Sequence, residues 1–147
     1  MKLSSSLEDY LETIQSIVVI KGAARASDIA RLRNVAASSV TSALKNLVKN
    51  GLVNHAPYDL VTLTPEGDRL ASVIARKHTV FKEFFVSVLG VNVKTADECA
   101  CRMEHIIPDD VLERLVEYLS FAKACQYGGR RWVNGQGFVC DHREDKL

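Results

Sequence analysis

The sequence predicts a mainly α-helical protein: an N-terminal unit of helices closed by a β-hairpin, then a C-terminal helical unit. Three observations predict it. Apolar residues recur at spacings of three and four through most of the chain, as on helices with one buried face. Two short β-rich runs, Leu52 to Ala56 and Leu60 to Leu63, flank Pro57-Tyr58-Asp59, the pattern of a hairpin. A long helical pattern opens at Thr64 and could run to Leu89, just before Gly90.

The elements follow in order. Ser6 reads as a helix N-cap, with Asp9 three residues on completing a box-like start. Leu7, Leu11, Ile14 and Val18 then keep helical spacing, and Gly22 ends the helix. A short helix fits Ala26 to Arg33, with Ile29 and Leu32 facing inward. Ala36-Ala37-Ser38-Ser39 makes a turn and cap. The helix from Ser38 to Lys49 turns Val40, Leu44, Leu47 and Val48 inward and stops at Asn50-Gly51. After the hairpin, Thr64-Pro65-Glu66 supplies a capping hydroxyl, a proline at the first helical position and an acid. From Pro65 to Leu89 such a helix is about 37 Å long at about 1.5 Å per residue. It carries Leu70, Ile74, Phe81, Phe84, Phe85 and Val88 in a broad apolar stripe and reads as a strut between two halves. Two further helices fit Thr95 to Ile106 and Asp109 to Lys123, and a Gly-rich tail of weak periodicity begins at Gln126.

Composition narrows the function classes. With 147 residues, 47% hydrophobic and 25% charged, the chain has the make-up of an ordinary soluble globular protein. No apolar run approaches the ~20 residues that span a bilayer, and the N-terminus lacks the apolar core of a secretory signal. A cytoplasmic location with no membrane partner is the expectation. The four cysteines, Cys99, Cys101, Cys125 and Cys140, then favour thiol or metal chemistry over disulfides. A net charge of +1 gives no global field for nucleic acid, so any such binding rests on a local patch.

One patch has that character. Helix, short helix, turn, helix and hairpin is the order of a winged helix-turn-helix, in which the helix from Ser38 to Lys49 would enter the major groove. Its outward residues are Ser38, Ser39, Thr41, Ser42, Lys45 and Lys49. Short hydroxyl side chains let a helix sit deep in the groove and bond bases or phosphates. Residues 25–49 hold five basic side chains (Arg25, Arg31, Arg33, Lys45, Lys49) against one acid, Asp28, a local charge of +4 that suits phosphates. Residue types alone leave a solvated helical face as the alternative; the hairpin that follows favours double-stranded DNA. Two such helices on half-sites of a palindromic operator call for a homodimer. Val111, Leu112, Leu115, Val116 and Leu119 offer more apolar surface than one small unit needs.

A second constellation points to metal. In Cys101-Arg102-Met103-Glu104-His105, the Cys, Glu and His stand at i, i+3 and i+4, so on a helix all three project from one face. Thiolate, carboxylate and imidazole together make a transition-metal half-site. Asp9 and Glu12 are i and i+3 on the first helix, and His78 lies mid-way along the strut. Each also has a plain alternative: a capping or solvated acid for Asp9 and Glu12, a satisfied histidine for His78, a packed thiol for Cys101.

The chain resembles the metal-dependent repressors of the diphtheria toxin repressor and manganese transport regulator family. The residues carrying the match are Leu7-Glu8-Asp9-Tyr10-Leu11-Glu12-Thr13-Ile14, Pro65-Glu66-Gly67, Arg76-Lys77-His78 and Ala100-Cys101-Arg102-Met103-Glu104-His105, collinear from about residue 5 to 124. The resemblance implies a winged-helix DNA domain over 1–72 and a helical dimerisation and metal-binding domain over 73–124. Residues 125–147 would form a tail with Cys125, Cys140 and His142 in place of an SH3-like third domain. That tail offers a Cys-x-His pair and a distant Cys, either a further metal or redox site or incidental thiols. Divalent metal bound between the two domains would act as co-repressor. Asp9, Glu12, His78, Cys101, Glu104 and His105 match the family's ligand set.

The ligand set is a hybrid. Manganese-selective members share Asp9 and Glu12 but carry a carboxylate where Cys101 stands; iron-responsive members share Cys101 but have a thioether where Asp9 stands. Thiolate favours softer ions and carboxylates harder ones. The expected co-repressor is Fe²⁺, with Mn²⁺ second and Co²⁺, Ni²⁺ or Zn²⁺ able to substitute in vitro. Asp97 stands near the position at which iron-type members place a histidine of a second site. Two other classes compete with a metal-dependent repressor: a winged-helix regulator responding to thiol oxidation or another signal, and a metalloenzyme. No nucleophile or general base stands apart from the ligand candidates, so no enzymatic activity is expected.

Overall fold

The computed structural model of the chain describes residues 3–56, 60–124, 131–133 and 135–139. It is mainly helical and divides into two compact units, Met1–Ala75 and Arg76–Leu147. No described helix is long and apolar enough to cross a membrane.

In the first unit, α1 (Ser5–Lys21) starts earlier than its sequence suggested: Ser4 caps it, its side chain accepting from the Leu7 amide at 3.4 Å. Gly22 ends it at φ 79, in the left-handed region, with its N–H on the Val18 carbonyl. A two-residue strand, β1 (Ala24–Arg25), leads straight into α2 (Ala26–Arg33), and α3 (Ala37–Lys49) follows a turn at Asn34. Strands β2 (Val53–Ala56) and β3 (Leu60–Leu63) pair antiparallel, and β1 adds to the far edge of β3, with Ala24 opposite Val61 and Arg25 opposite Leu60. The hairpin tip, Pro57-Tyr58-Asp59, lies outside the described residues. A strand as short as β1 has no periodicity to read, and its pairing is visible only in the folded sheet.

Leu11, Ile14, Ile29, Val40, Leu44, Leu47 and Val61 close the core of this unit. Two inward assignments are corrected. Leu32 is 57% exposed and Val48 43% exposed, because on these helices the buried arc is narrow: Ile29, flanked by the small Ala26 and Ala30, serves α2, and Val40, Ala43, Leu44 and Leu47 serve α3.

The long helix α4 (Pro65–Glu83) begins at the predicted cap. The Thr64 hydroxyl accepts from the Gly67 amide at 3.0 Å and donates to the Gly51 carbonyl at 2.7 Å. Beyond Glu83 the helix does not continue as α: Phe84–Val88 form one π-helical turn, closed by the Leu89 amide on the Phe84 carbonyl at 3.3 Å. Spacing of apolar residues does not distinguish these two windings over five residues.

The second unit continues with α5 (Val93–Met103), capped by the Asn92 side chain, and α6 (Asp109–Ala124). Phe81, Ala100 and Leu112 form its core, with Val80, Phe85, Met103, Ile107 and Leu115 packed around them. Leu112 and Leu119, expected to supply association surface, are buried within the monomer; Val111, Tyr118 and Phe121 are the exposed apolar side chains of α6. In the tail, β4 (Arg131–Val133) and β5 (Gly137–Val139) make an antiparallel hairpin, which the weak periodicity concealed. Cys125, Cys140 and His142, the further ligand candidates, lie outside the described residues.

Candidate metal centre and nucleic-acid interface

In the second unit, α4 and the end of α5 bring together three of the candidate ligands. Helical geometry persists through Glu104, whose amide bonds the Ala100 carbonyl, and then a tight turn takes over with Ile106 and Ile107 both bonding Met103. His105 therefore stands past the helix end. Glu104 is 2% exposed, the one buried charged side chain among the described residues. Its Oε2 lies 2.7 Å from His78 Nδ1 and its Oε1 3.4 Å from His105 Nε2. Cys101, one turn earlier on α5, is exposed, so the common face expected for Cys101, Glu104 and His105 is split between rim and interior.

This donor set suits a divalent ion. A buried carboxylate is costly unless positive charge or hydrogen bonds compensate it. Ligands bonded at about 2.1 Å and at right angles lie about 3 Å apart, and the two distances around Glu104 bracket that value. Carboxylate and imidazole are the donor types that first-row divalent ions take.

Around this group the structure adds residues whose role the sequence did not signal. His78 Nε2 is 3.1 Å from Asp97 Oδ1, and Lys82 Nζ is 2.6 Å from the same oxygen. The hydrogen bond from Lys82, then that from His78, holds the Asp97 carboxyl below its usual range. Lys77, next to His78, donates to the Ile107 carbonyl at 3.2 Å and pairs with Asp109 at 2.7 Å, tying the segment after Glu104 to α4. Asp109 is held below the usual carboxylate range, first by the Lys77 hydrogen bond. These partners come from different helices, so no local spacing announces them.

Asp9 and Glu12 belong to α1 of the first unit, both half-buried. Asp9 is not a capping acid: its Oδ2 takes a 2.8 Å salt bridge from Arg33 of α2, whose guanidinium lies 4.7 Å from the Tyr10 ring centroid. Arg33 thereby leaves the set of cations counted for phosphate. Arg31 is likewise engaged, with Asp28, which also binds Lys21.

The exposed cations left on this side are Arg25 in β1 and Lys45 and Lys49 on α3. Ser38, Ser39, Thr41 and Ser42 are all exposed on α3, as is Asn46, an amide in the middle of the hydroxyl and lysine positions that no sequence pattern marks. Ser38, Ser39, Ser42 and Asn46 line a groove of about 580 Å³ with Ser6 of α1, its lining of mixed polarity. The Thr41 hydroxyl donates to the Ala37 carbonyl at 3.0 Å, so toward a ligand it presents acceptor lone pairs.

Comparison with known proteins agrees with this layout. Residues 2–61 match the family model for the iron dependent repressor N-terminal DNA binding domain, and residues 64–133 that for its metal binding and dimerisation domain. An uncharacterized HTH-type transcriptional regulator of Methanocaldococcus jannaschii is 41% identical over 114 residues, 77% of this chain and 91% of the relative. Among solved structures, IdeR of T. acidophilum superposes with a TM-score of 0.71 at 28% identity, covering 88% of this chain. A manganese-dependent transcriptional repressor in complex with manganese gives 0.72 at 28% identity over 78% of this chain. The chain spans 60% and 53% of the lengths of those two structures. On two domain matches that together cover most of its length, the chain belongs to the iron-dependent repressor family of metal-dependent transcription regulators.

Proposed function

We propose that this chain is a metal-activated repressor of metal-homeostasis genes, acting in the cytoplasm as a homodimer on a palindromic operator. The observation that carries the reading is the buried Glu104 carboxylate set between the imidazoles of His78 and His105, within the stretch that matches a metal-binding domain. The proposed ligands are Asp9, Glu12, His78, Cys101, Glu104 and His105, with Fe²⁺ the preferred co-repressor and Mn²⁺ second. The ion would supply the positive charge that offsets these carboxylates. In α3, Lys45 and Lys49, with Arg25, would hold phosphates while Ser38, Ser39, Thr41 and Ser42 meet base edges. No enzymatic step is assigned to the chain.

The test is operator affinity with and without anaerobic Fe²⁺ or Mn²⁺, under reducing conditions. Metal should tighten binding, and Glu104→Gln should remove the dependence while leaving the helical signal intact. Linkage requires that saturating operator tighten metal binding by the same factor. Equal metal affinities with and without operator would overturn the co-repressor role. Binding that tracks oxidant and ignores metal would support the thiol-responsive alternative instead.

A further inference from the structure

We propose that Asp97, held by Lys82, is the positioning residue of His78: it keeps the proton on Nε2 and turns Nδ1 toward Glu104 as the ligating nitrogen. The inference rests on the metal-binding reading above and deepens it.

The two ring nitrogens of His78 face different surroundings. Nε2 meets Asp97 Oδ1 at 3.1 Å, and Nδ1 meets Glu104 Oε2 at 2.7 Å. A carboxylate only accepts, so each of these contacts calls for a hydrogen on its ring nitrogen. An ion taken up beside Glu104 would replace the hydrogen on Nδ1 and leave the one on Nε2 for Asp97. A ligating histidine commonly donates its other N–H to a carboxylate, which fixes tautomer and ring orientation and raises the basicity of the ligating nitrogen. The Asp97 contact has that form.

Lys82 completes the device. His78 and Lys82 are four residues apart on α4 and so share a face. Both reach Asp97 on α5, and the Lys82 ammonium sits 2.6 Å from the oxygen that His78 also contacts. A tethered cation thus already sits on Oδ1, the oxygen that the ring meets. Through that oxygen Asp97 serves the ring. The site is then built by α4 holding the imidazole and α5 aiming it.

The full chain loaded with Zn²⁺ provides the test, read by long-range ¹H–¹⁵N correlation of the His78 ring and by competition with a chelator. Wild type should show Nε2 protonated and Nδ1 bound to metal. Asp97→Ala should lose about ten- to a hundredfold in Zn²⁺ affinity, with unchanged stoichiometry and faster exchange of the Nε2 proton. Asp97→Asn, a neutral acceptor of the same shape, should keep the tautomer at an intermediate affinity. The role is overturned by Nε2 as the metal-bound nitrogen in wild type, by loss of a metal equivalent in Asp97→Ala, or by affinity within twofold of wild type in that variant. Should the alanine variant not fold, wild-type affinity together with wild-type Nε2–H exchange in Asp97→Asn overturns it equally. A wild-type chain that takes no Zn²⁺ through His78 would instead overturn the metal-binding reading itself.

Discussion

At the scale of single residues, Gly67 shows why a position next to a helix cap tolerates no side chain. A Cβ there would stand 1.9 Å from the Leu52 carbonyl oxygen, which is backbone and also accepts from the Thr64 amide at 3.0 Å. Neither partner can move without breaking the start of α4. Gly67→Ala should cost about 2–3 kcal/mol, measured as a shift of the urea midpoint; an unchanged midpoint would mean that α4 re-seats freely. Cys101 carries a prediction about selectivity. A sulfur ligand favours softer ions than a carboxylate does. Cys101→Glu should retain metal-dependent operator binding while moving the preference from Fe²⁺ toward Mn²⁺. An unchanged preference would make Cys101 a surface residue with no part in the centre.

At the scale of elements, α3 carries hydroxyls and two lysines on its exposed surface, and the proposed reading gives them separate duties. Lys45→Ala should weaken binding to every DNA sequence and lower the salt slope by about one unit. Thr41→Ala removes an acceptor aimed outward and should cost discrimination between operator and random DNA. Variants that behave alike across sequences would refute this division. The junction of α1 and α2 depends on Asp28, which binds Lys21 at 3.1 Å and Arg31 at 3.3 Å. The hydrogen bond from Lys21 is the largest cause holding its carboxyl below the ordinary value of 3.8. A depressed folded-state value means that the contribution is complete above the unfolded value and lost as pH falls through the folded one. Carboxyl NMR titration should therefore place the Asp28 midpoint below 3.8, and Asp28→Asn should flatten the acid limb of the stability curve. A midpoint at or above the ordinary value would remove the pair from the account of this junction.

At the scale of the whole molecule, the second unit carries more apolar surface than it covers. Phe81, Phe84, Val88, Met103, Val111 and Tyr118 are among the side chains lining a groove of about 550 Å³, and Phe121 of α6 is 68% exposed. Exposed apolar surface of this kind marks an association site, and the stretch matches a dimerisation domain. Sedimentation at micromolar concentration should give a dimer, and Val111→Glu should shift it toward folded monomer. A wild-type chain that sediments as a monomer, with metal and without, would contradict the homodimer.

Much of the fold was legible because its causes are local. Helix periodicity, the Gly22 stop, the Thr64-Pro65 start and the β-rich runs each depend on residues within a few positions, so the sequence determined five of the six α-helices among the described residues to within a turn, and both strands that flank Pro57-Tyr58-Asp59. It also determined the inventory of donors: which helices carry carboxylate, imidazole and thiolate. Tertiary structure alone decided which of them meet. Strand β1 exists only because Ala24 and Arg25 find Val61 and Leu60 across the sheet. Arg33 leaves the DNA-facing charge because Asp9, 24 residues away, takes it. Asp97 lies 19 residues from His78 and 15 from Lys82, and no spacing rule joins them. The physical reason is the range of the interactions. Backbone hydrogen bonds and apolar periodicity write themselves into neighbouring residues, whereas a salt bridge or an imidazole–carboxylate contact is a property of the space between helices, fixed only once their apolar faces have packed.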